Sequence, residues 1–284
     1  MSDAPGPAPS RTEFRPQTGS HPRRNRDDAP MNPNEPPPAS ASGPAAADPA
    51  AVPTIPAPAS PPADVQVRVW EWPVRAFHWS IVALLVALVV TAKLGGNWID
   101  WHMRAGYAML ALVLFRVLWG FFGGPHARFF SFVRGPGSVL RYSRSLVLGT
   151  KEWHLGHNPL GGWSIVLLLV ALLTQATTGL FAQDDVASEG PLARFVTGDV
   201  SSSITWFHRR HVWWIYALVA VHVTAVFTYL FAFRENLIRA MITGRKRLPA
   251  SAAAAHPEHG PVTVRALVLL ALSVFAVWWV VNKL

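Results

Sequence analysis

Five stretches of the chain are apolar for long enough to cross a membrane, and polar segments separate them. They run from Ala76 to Leu94, His102 to Phe122, Gly161 to Phe181, Trp206 to Phe233 and Val264 to Val281. About 30 Å of hydrocarbon requires roughly 20 residues at helical rise, and a helix satisfies its own backbone hydrogen bonds in lipid. The pattern predicts an all-α integral membrane protein, a four-helix transmembrane bundle with a fifth, C-terminal transmembrane helix. Trp70, Trp72, Trp79, Trp98, Trp101, Trp163, Trp206, Trp213, Trp214 and Trp278 fall mostly near the ends of these runs, where an aromatic belt sits.

Outside the spans the composition changes. Residues 1–64 are dominated by Pro, Ala, Ser and Asn without sustained periodicity, which predicts a disordered cytoplasmic tail. It lacks the apolar core and cleavage site of a signal peptide, and Met31 is an alternative start. Residues 65–247 then form the four-span domain, 248–262 a linker, and 263–284 the fifth span.

Charge orients the bundle. Arg68 and Arg75 precede the first span; Arg128, Arg134, Arg141, Arg144 and Lys151 lie between the second and third; Arg239, Arg245, Lys246 and Arg247 follow the fourth. The connection between the third and fourth spans instead carries Asp184, Asp185, Glu189 and Asp199, with Arg194 its main basic residue. The positive-inside rule then predicts a multi-pass membrane protein with its N-terminus cytoplasmic and the acidic connection outside. A formal charge of +9 distributed in this way follows membrane topology and argues against a nucleic-acid partner.

Four histidines carry the candidate chemistry. His208 and His222 share the fourth span fourteen residues apart, which advances a helix by about 21 Å and returns to within about 40° of the same face. His78 opens the first span near the inner surface and His102 opens the second near the outer one. Depth therefore pairs His78 with His222 and His102 with His208. Each pair has the chemistry of two axial imidazole ligands to one haem iron, so the expectation is a diheme bundle suited to electron transfer. With no cysteine in the chain, both b-type haems must be held noncovalently. His211, eleven residues before His222, competes with His208, because facing alone does not separate them; the greater axial distance favours His208. His126, His154 and His157 lie in the inner connection and are read as structural or quinone-headgroup residues, and His21, His256 and His259 as solvated.

Neighbouring residues extend this picture. Gly106 lies one turn after His102, where a missing side chain lets a flat macrocycle approach the backbone. Ala225 gives similar room near His222, whereas Leu218 packs at a ring edge. Arg116 is fourteen residues beyond His102, at the inner depth, and is a candidate partner for inner-haem propionates or a snorkelling residue. Arg104, Arg209 and Arg210 are candidates for the outer propionates, or interface anchors.

Several sequence blocks point to a known group. Val69-Trp-Glu-Trp-Pro-Val-Arg-Ala-Phe-His78-Trp, Trp101-His102 with Gly106-Tyr107, Leu114-Phe-Arg116-Val-Leu-Trp-Gly120, Ala127-Arg-Phe129, Gly156-His-Asn-Pro-Leu-Gly-Gly162, Thr178-Gly-Leu-Phe181, and Arg234-Glu-Asn236 with Met241-Ile-Thr-Gly-Arg-Lys246 are the blocks. Over roughly residues 67–247 the chain resembles the prokaryotic cytochrome b561 family, especially the branch containing the b-type cytochrome subunit of nickel-iron hydrogenases. The resemblance implies a four-helix diheme core exchanging electrons with membrane quinone, with ligand roles falling on His78, His102, His208 and His222. An outer-face redox protein, a hydrogenase or a c-type cytochrome, is the implied partner. Two other classes stand beside this reading: a self-contained superoxide:quinone-type oxidoreductase, guided by Arg104, Arg209 and Arg210, and a nonredox membrane anchor or transporter, which binds no haem. No Walker, zinc-site, nucleophile-triad or dinucleotide signature supports soluble-enzyme chemistry.

Overall fold

The computed structural model describes residues 64–149, 156–183, 188–249 and 262–284. Strand β1 (Asp64–Arg68) leads into helix α1 (Trp72–Leu94), and a short turn of 3-10 helix at Gly96–Trp98 leads into α2 (Ile99–Phe122). The short α3 (Phe129–Phe132) and α4 (Pro136–Val147) precede α5 (Pro159–Gly179). Then come α6 (Gly198–Phe231), α7 (Leu237–Thr243), strand β2 (Arg245–Pro249) and α8 (Thr263–Lys283). Five of these helices are long and apolar enough to cross a membrane, in agreement with the five predicted spans.

The helix ends differ from the predicted ones for local reasons. α1 starts at Trp72, before the first long apolar run, because Pro73 presets the backbone of the first turn. α5 starts at Pro159, where Asn158 Oδ1 accepts the Gly161 N–H at 2.7 Å. α6 begins eight residues before Trp206, in a polar stretch that hydropathy does not mark. Hydrogen bonds hold that extension: Ser201 Oγ donates to the Phe181 carbonyl at 2.7 Å, and Gln183 N–H donates to Thr205 Oγ1 at 3.0 Å. With 34 residues, α6 is about 50 Å long, longer than the hydrocarbon requires, and its polar N-terminal turns form the excess.

α2 is the central helix. It packs against α1, α5 and α8, and it buries Met109, Leu110, Ala111, Val113, Phe115, Arg116, Trp119 and Gly120. The fifth span, α8, lies on α2 through Ala266, Ser273 and Val277, whose spacing makes one helical face and whose two small members allow close approach. Trp72 Nε1 donates to Thr263 Oγ1 at 3.2 Å and Arg265 Nη1 to the Phe122 carbonyl at 3.0 Å, fixing the start of α8 beside the first residue of α1 and the last of α2. β1 pairs antiparallel with β2, from Asp64 opposite Pro249 to Arg68 opposite Arg245. Large apolar side chains such as Val86, Val90, Phe231, Leu272 and Phe275 remain exposed on the helices, as lipid-facing surfaces require. His21, His154, His256 and His259, the tail before Asp64 and most of the predicted linker lie outside the described residues.

α6 stands apart in its packing. Its close helix packing is confined to α5 and α7, and it buries only Ser201 and Ile215. Toward α1 and α2 it presents histidines instead.

Candidate functional site

His78 on α1 faces His222 on α6, with ring centroids 6.5 Å apart and planes at 48°. His102 on α2 faces His208 on the same α6, again with centroids at 6.5 Å, and planes at 86°. All four imidazoles are half-buried. The two pairs are the ones that helix depth predicts, separated along α6 by about 21 Å.

The spacing fits a metal held between two rings. A metal–imidazole bond of about 2 Å on each side, with each centroid about 1.2 Å behind its nitrogen, separates two opposed imidazoles by about 6.4 Å. Among the described residues no group of three or more His, Cys, Asp or Glu gathers as a metal site. Each pair thus offers two imidazoles and no further protein donor of those types. A haem fits such a donor set, because its porphyrin supplies the remaining four nitrogens. Beside His102, an added Cβ on Gly106 would meet no atom within 4 Å, so the backbone there is open to a flat ligand. Near the inner pair, the buried nitrogens His78 Nδ1 and Arg116 Nη1 have no hydrogen-bond partner.

Hydrogen bonds set the tautomer of the outer pair. His102 Nδ1 lies 3.0 Å from the Leu88 carbonyl, which only accepts, so Nδ1 carries the proton. His208 Nδ1 lies 3.0 Å from Thr178 Oγ1, whose own proton is directed to the carbonyls of Thr174 and Gln175. That hydroxyl must therefore accept from His208 Nδ1–H. In both rings Nε2 is left with the free lone pair that a metal needs, and the Nδ1 contact holds the ring orientation. Gly179 completes the arrangement: an added Cβ there would come within 3.1 Å of His208 Cε1.

His211 takes a different role. Its Nδ1 lies 2.9 Å from Gln175 Oε1, while Gln175 Nε2 donates to the His208 carbonyl at 3.0 Å. The ring also stacks on Phe207, with centroids 5.2 Å apart. One α5 glutamine thus binds His211 away from His102 and braces the backbone of His208. The residues that separate the two candidates, Gln175, Thr178 and Gly179, all belong to α5 and were not among the predicted site residues. The sequence signal for Thr178 and Gly179 was the block Thr178-Gly-Leu-Phe181, read only as part of a resemblance, and Gln175 lies outside it.

The arginines divide between the two ends. Arg116 is 3 % exposed, with its guanidinium 5.3 Å from the Phe129 ring centroid. Arg104, Arg209 and Arg210 are exposed. Arg104 lies over Trp101 and Arg210 over Trp206, positions that suit interfacial anchors as well as partners of an outer anion. At the inner end, His157 is held between Trp70 and Phe132, with centroid distances of 4.4 and 4.8 Å. Burial, then the Arg116 guanidinium, push His157 down to about 3, so it is neutral at physiological pH. It also lines a cavity of about 270 Å³ with His126, Ser131, Phe132, Arg134, Gly156 and Pro159.

Residues 69–244 match the family described as prokaryotic cytochrome b561. The chain belongs to that family. Curated relatives of this cytochrome b561 include the probable Ni/Fe-hydrogenase B-type cytochrome subunit of Rhizobium leguminosarum bv. viciae, 25% identical over 213 residues, covering 63% of this chain and 88% of the relative. The similarly named subunit of Azotobacter vinelandii is 26% identical over 211 residues, covering 63% of this chain and 87% of the relative. No solved structure matches the chain. Membership makes this cytochrome b561 a haem-carrying, multi-pass bacterial membrane protein of electron transfer. Both histidine pairs lie inside the matched region, whereas α8 lies beyond it.

Proposed function

We propose that the chain is a diheme b-type cytochrome that passes electrons across the cytoplasmic membrane between a quinone pool and a redox protein at the outer face. The observation that carries this reading is the equal 6.5 Å separation of two histidine pairs on one helix. His78 and His222 hold the inner haem; His102 and His208 hold the outer one. When bound, each haem supplies a one-electron iron couple.

The remaining work falls to the protein. Two imidazoles per site would hold each haem from the protein side, an arrangement that favours electron transfer over binding of oxygen or substrate. Thr178 and the Leu88 carbonyl hold the outer rings in the ligating tautomer. α6 carries one ligand of each pair, so a single rigid helix sets the separation of the two centres. Arg116 places a buried positive charge at the inner end, and Gly106 leaves the backbone beside His102 open to a porphyrin face. Arg104 and Arg209 are exposed at the end that carries the His102–His208 pair, where they would meet propionates of a haem held there or an approaching anion. Oxidation of a quinol releases two electrons and two protons; the two histidine pairs would hold the one-electron acceptors, one each, and the protons would pass to water. The names of the curated relatives favour a hydrogenase as the outer partner, with a c-type cytochrome as the other candidate. The concentration of basic residues around α4, α7 and β2 supports placing that end, and the N-terminus, in the cytoplasm.

The test is reduction of the oxidised, purified protein by a soluble quinol, followed in the haem α-band. Both centres are expected to become ferrous, and in the His222→Ala variant the extent of reduction is expected to fall by about half. A protein that binds haem but takes no electrons from quinol contradicts the proposed donor.

A further inference from the structure

Arg116 and His157 each carry a buried nitrogen without a hydrogen-bond partner at the inner end, and the reading above gives Arg116 no partner and His157 no role. The Arg116 side chain comes from the last two turns of α2, where a cation removed from water is costly unless something anionic compensates it. Among the described residues no carboxylate pairs with it; its neighbour is the Phe129 ring, and Nη1 has no hydrogen-bond partner. His157, ahead of α5, is linked to Arg116 through a row of aromatic rings. Phe129 and Phe132 are in ring contact at 5.8 Å, and Phe132 contacts His157 at 4.8 Å, so one aromatic wall runs from the arginine to the histidine. Trp70 closes the opposite face of the imidazole at 4.4 Å, fixing the ring in one orientation. His157 Nδ1 is buried and, like Arg116 Nη1, has no partner. Two unsatisfied buried nitrogens, one of them cationic, within electrostatic reach of each other and of His222, call for one acceptor-rich anion.

We propose that Arg116 and His157 form a carboxylate pocket beside the His78–His222 pair, and that it takes a propionate of the porphyrin held there. This rests on the diheme reading. It adds His157, from the connection before α5, as a propionate-binding residue, and it gives Arg116 a partner in place of a snorkelling role. The arginine supplies charge and the histidine a directed neutral donor. Together they tie α2 and the α4–α5 connection to a ligand whose iron is held by α1 and α6. The porphyrin would then be gripped by three helices of the core, α1, α2 and α6, and by the connection that leads into α5.

The test uses the full chain carrying His208→Ala, which leaves the inner pair as the one complete bis-histidine site. Arg116→Gln, His157→Phe and His157→Gln are each added to it. Resonance Raman spectra of the propionate bending mode, and the rate of haem loss to an excess of apomyoglobin, are recorded for each. Arg116→Gln and His157→Phe are expected to shift the mode toward its weakly bonded frequency and to speed haem loss about tenfold or more. His157→Gln keeps a donor and is expected to stay close to the parent. An unchanged propionate mode and loss rate in variants that retain haem would overturn the pocket while leaving the histidine ligation intact. If Arg116→Gln fails to assemble, the contrast between the two His157 variants decides. A parent chain that holds no haem contradicts the diheme reading, and the pocket falls with it.

Discussion

Replacing His222 by alanine is expected to lower bound haem from two per chain to one, with the bundle otherwise assembled. The expectation follows from the position of His222 rather than from its chemistry alone. It faces His78 at 6.5 Å and contributes nothing to the outer pair, whose α6 ligand stands about 21 Å away along the same helix. Removing it leaves His78 a single imidazole, so the inner iron loses one axial bond and the remaining site is open. α6 makes few packing contacts around this residue, and a half-buried histidine on a helix that buries only Ser201 and Ile215 is not a keystone of the fold. The check is haem per chain from the pyridine haemochrome, read together with recovery of the membrane-extracted protein. Two retained haems would remove His222 from the ligand set.

His208→Ala and His211→Ala are expected to behave oppositely, although the two residues are three apart on one helix. His208→Ala removes the outer haem. His211→Ala leaves both haems in place and costs only the Gln175 contact, about 1 kcal/mol for one hydrogen bond. The structural reason is Gln175. Its Nε2 donates to the His208 carbonyl, which turns its Oε1 toward His211, and His211 Nδ1–H is thereby held on α5 instead of facing α2. Optical quantification of haem in the two variants separates them, and loss of a haem from His211→Ala would reverse the assignment.

How much of this was legible in the chain differs from element to element. The five spans were, because each is a long apolar run and the membrane leaves a helix as the available solution. The pairing of His78 with His222 and His102 with His208 was also legible, since alternating helix directions convert sequence position into depth. Facing on an isolated helix did not separate His208 from His211, because the distinction lies in side chains of a neighbouring helix, Gln175 and Thr178. The polar first two turns of α6 were missed for a related reason: Ser201 and Thr205 are held by hydrogen bonds to Phe181 and Gln183, not by apolar burial. The β1–β2 pairing brings Arg68 against Arg245 from the two ends of the four-span core, and neither five-residue segment carries an alternation strong enough to mark it. His157 read as a connection residue until the fold placed it between Trp70 and Phe132.

The fifth span also takes a clearer place. Its packing on α2, through a face of Ala266, Ser273 and Val277, sets it against the helix that carries His102, Gly106 and Arg116. It has no histidine of its own, and its residues fall beyond the region shared with the cytochrome b561 family. It therefore supports the central helix of the core without adding a ligand to it.

The central claim is that one helix carries an axial ligand for each of two six-coordinate haems. The most direct measurement is the electron paramagnetic resonance spectrum of the oxidised wild-type protein, integrated against a known spin standard. Two low-spin ferric signals, each amounting to one spin per chain, are the result expected. The outer signal should be the more anisotropic, because the planes of His102 and His208 stand at 86° against 48° for His78 and His222. A single low-spin signal, or a high-spin signal from a haem with an open axial position, would contradict the two-pair assignment.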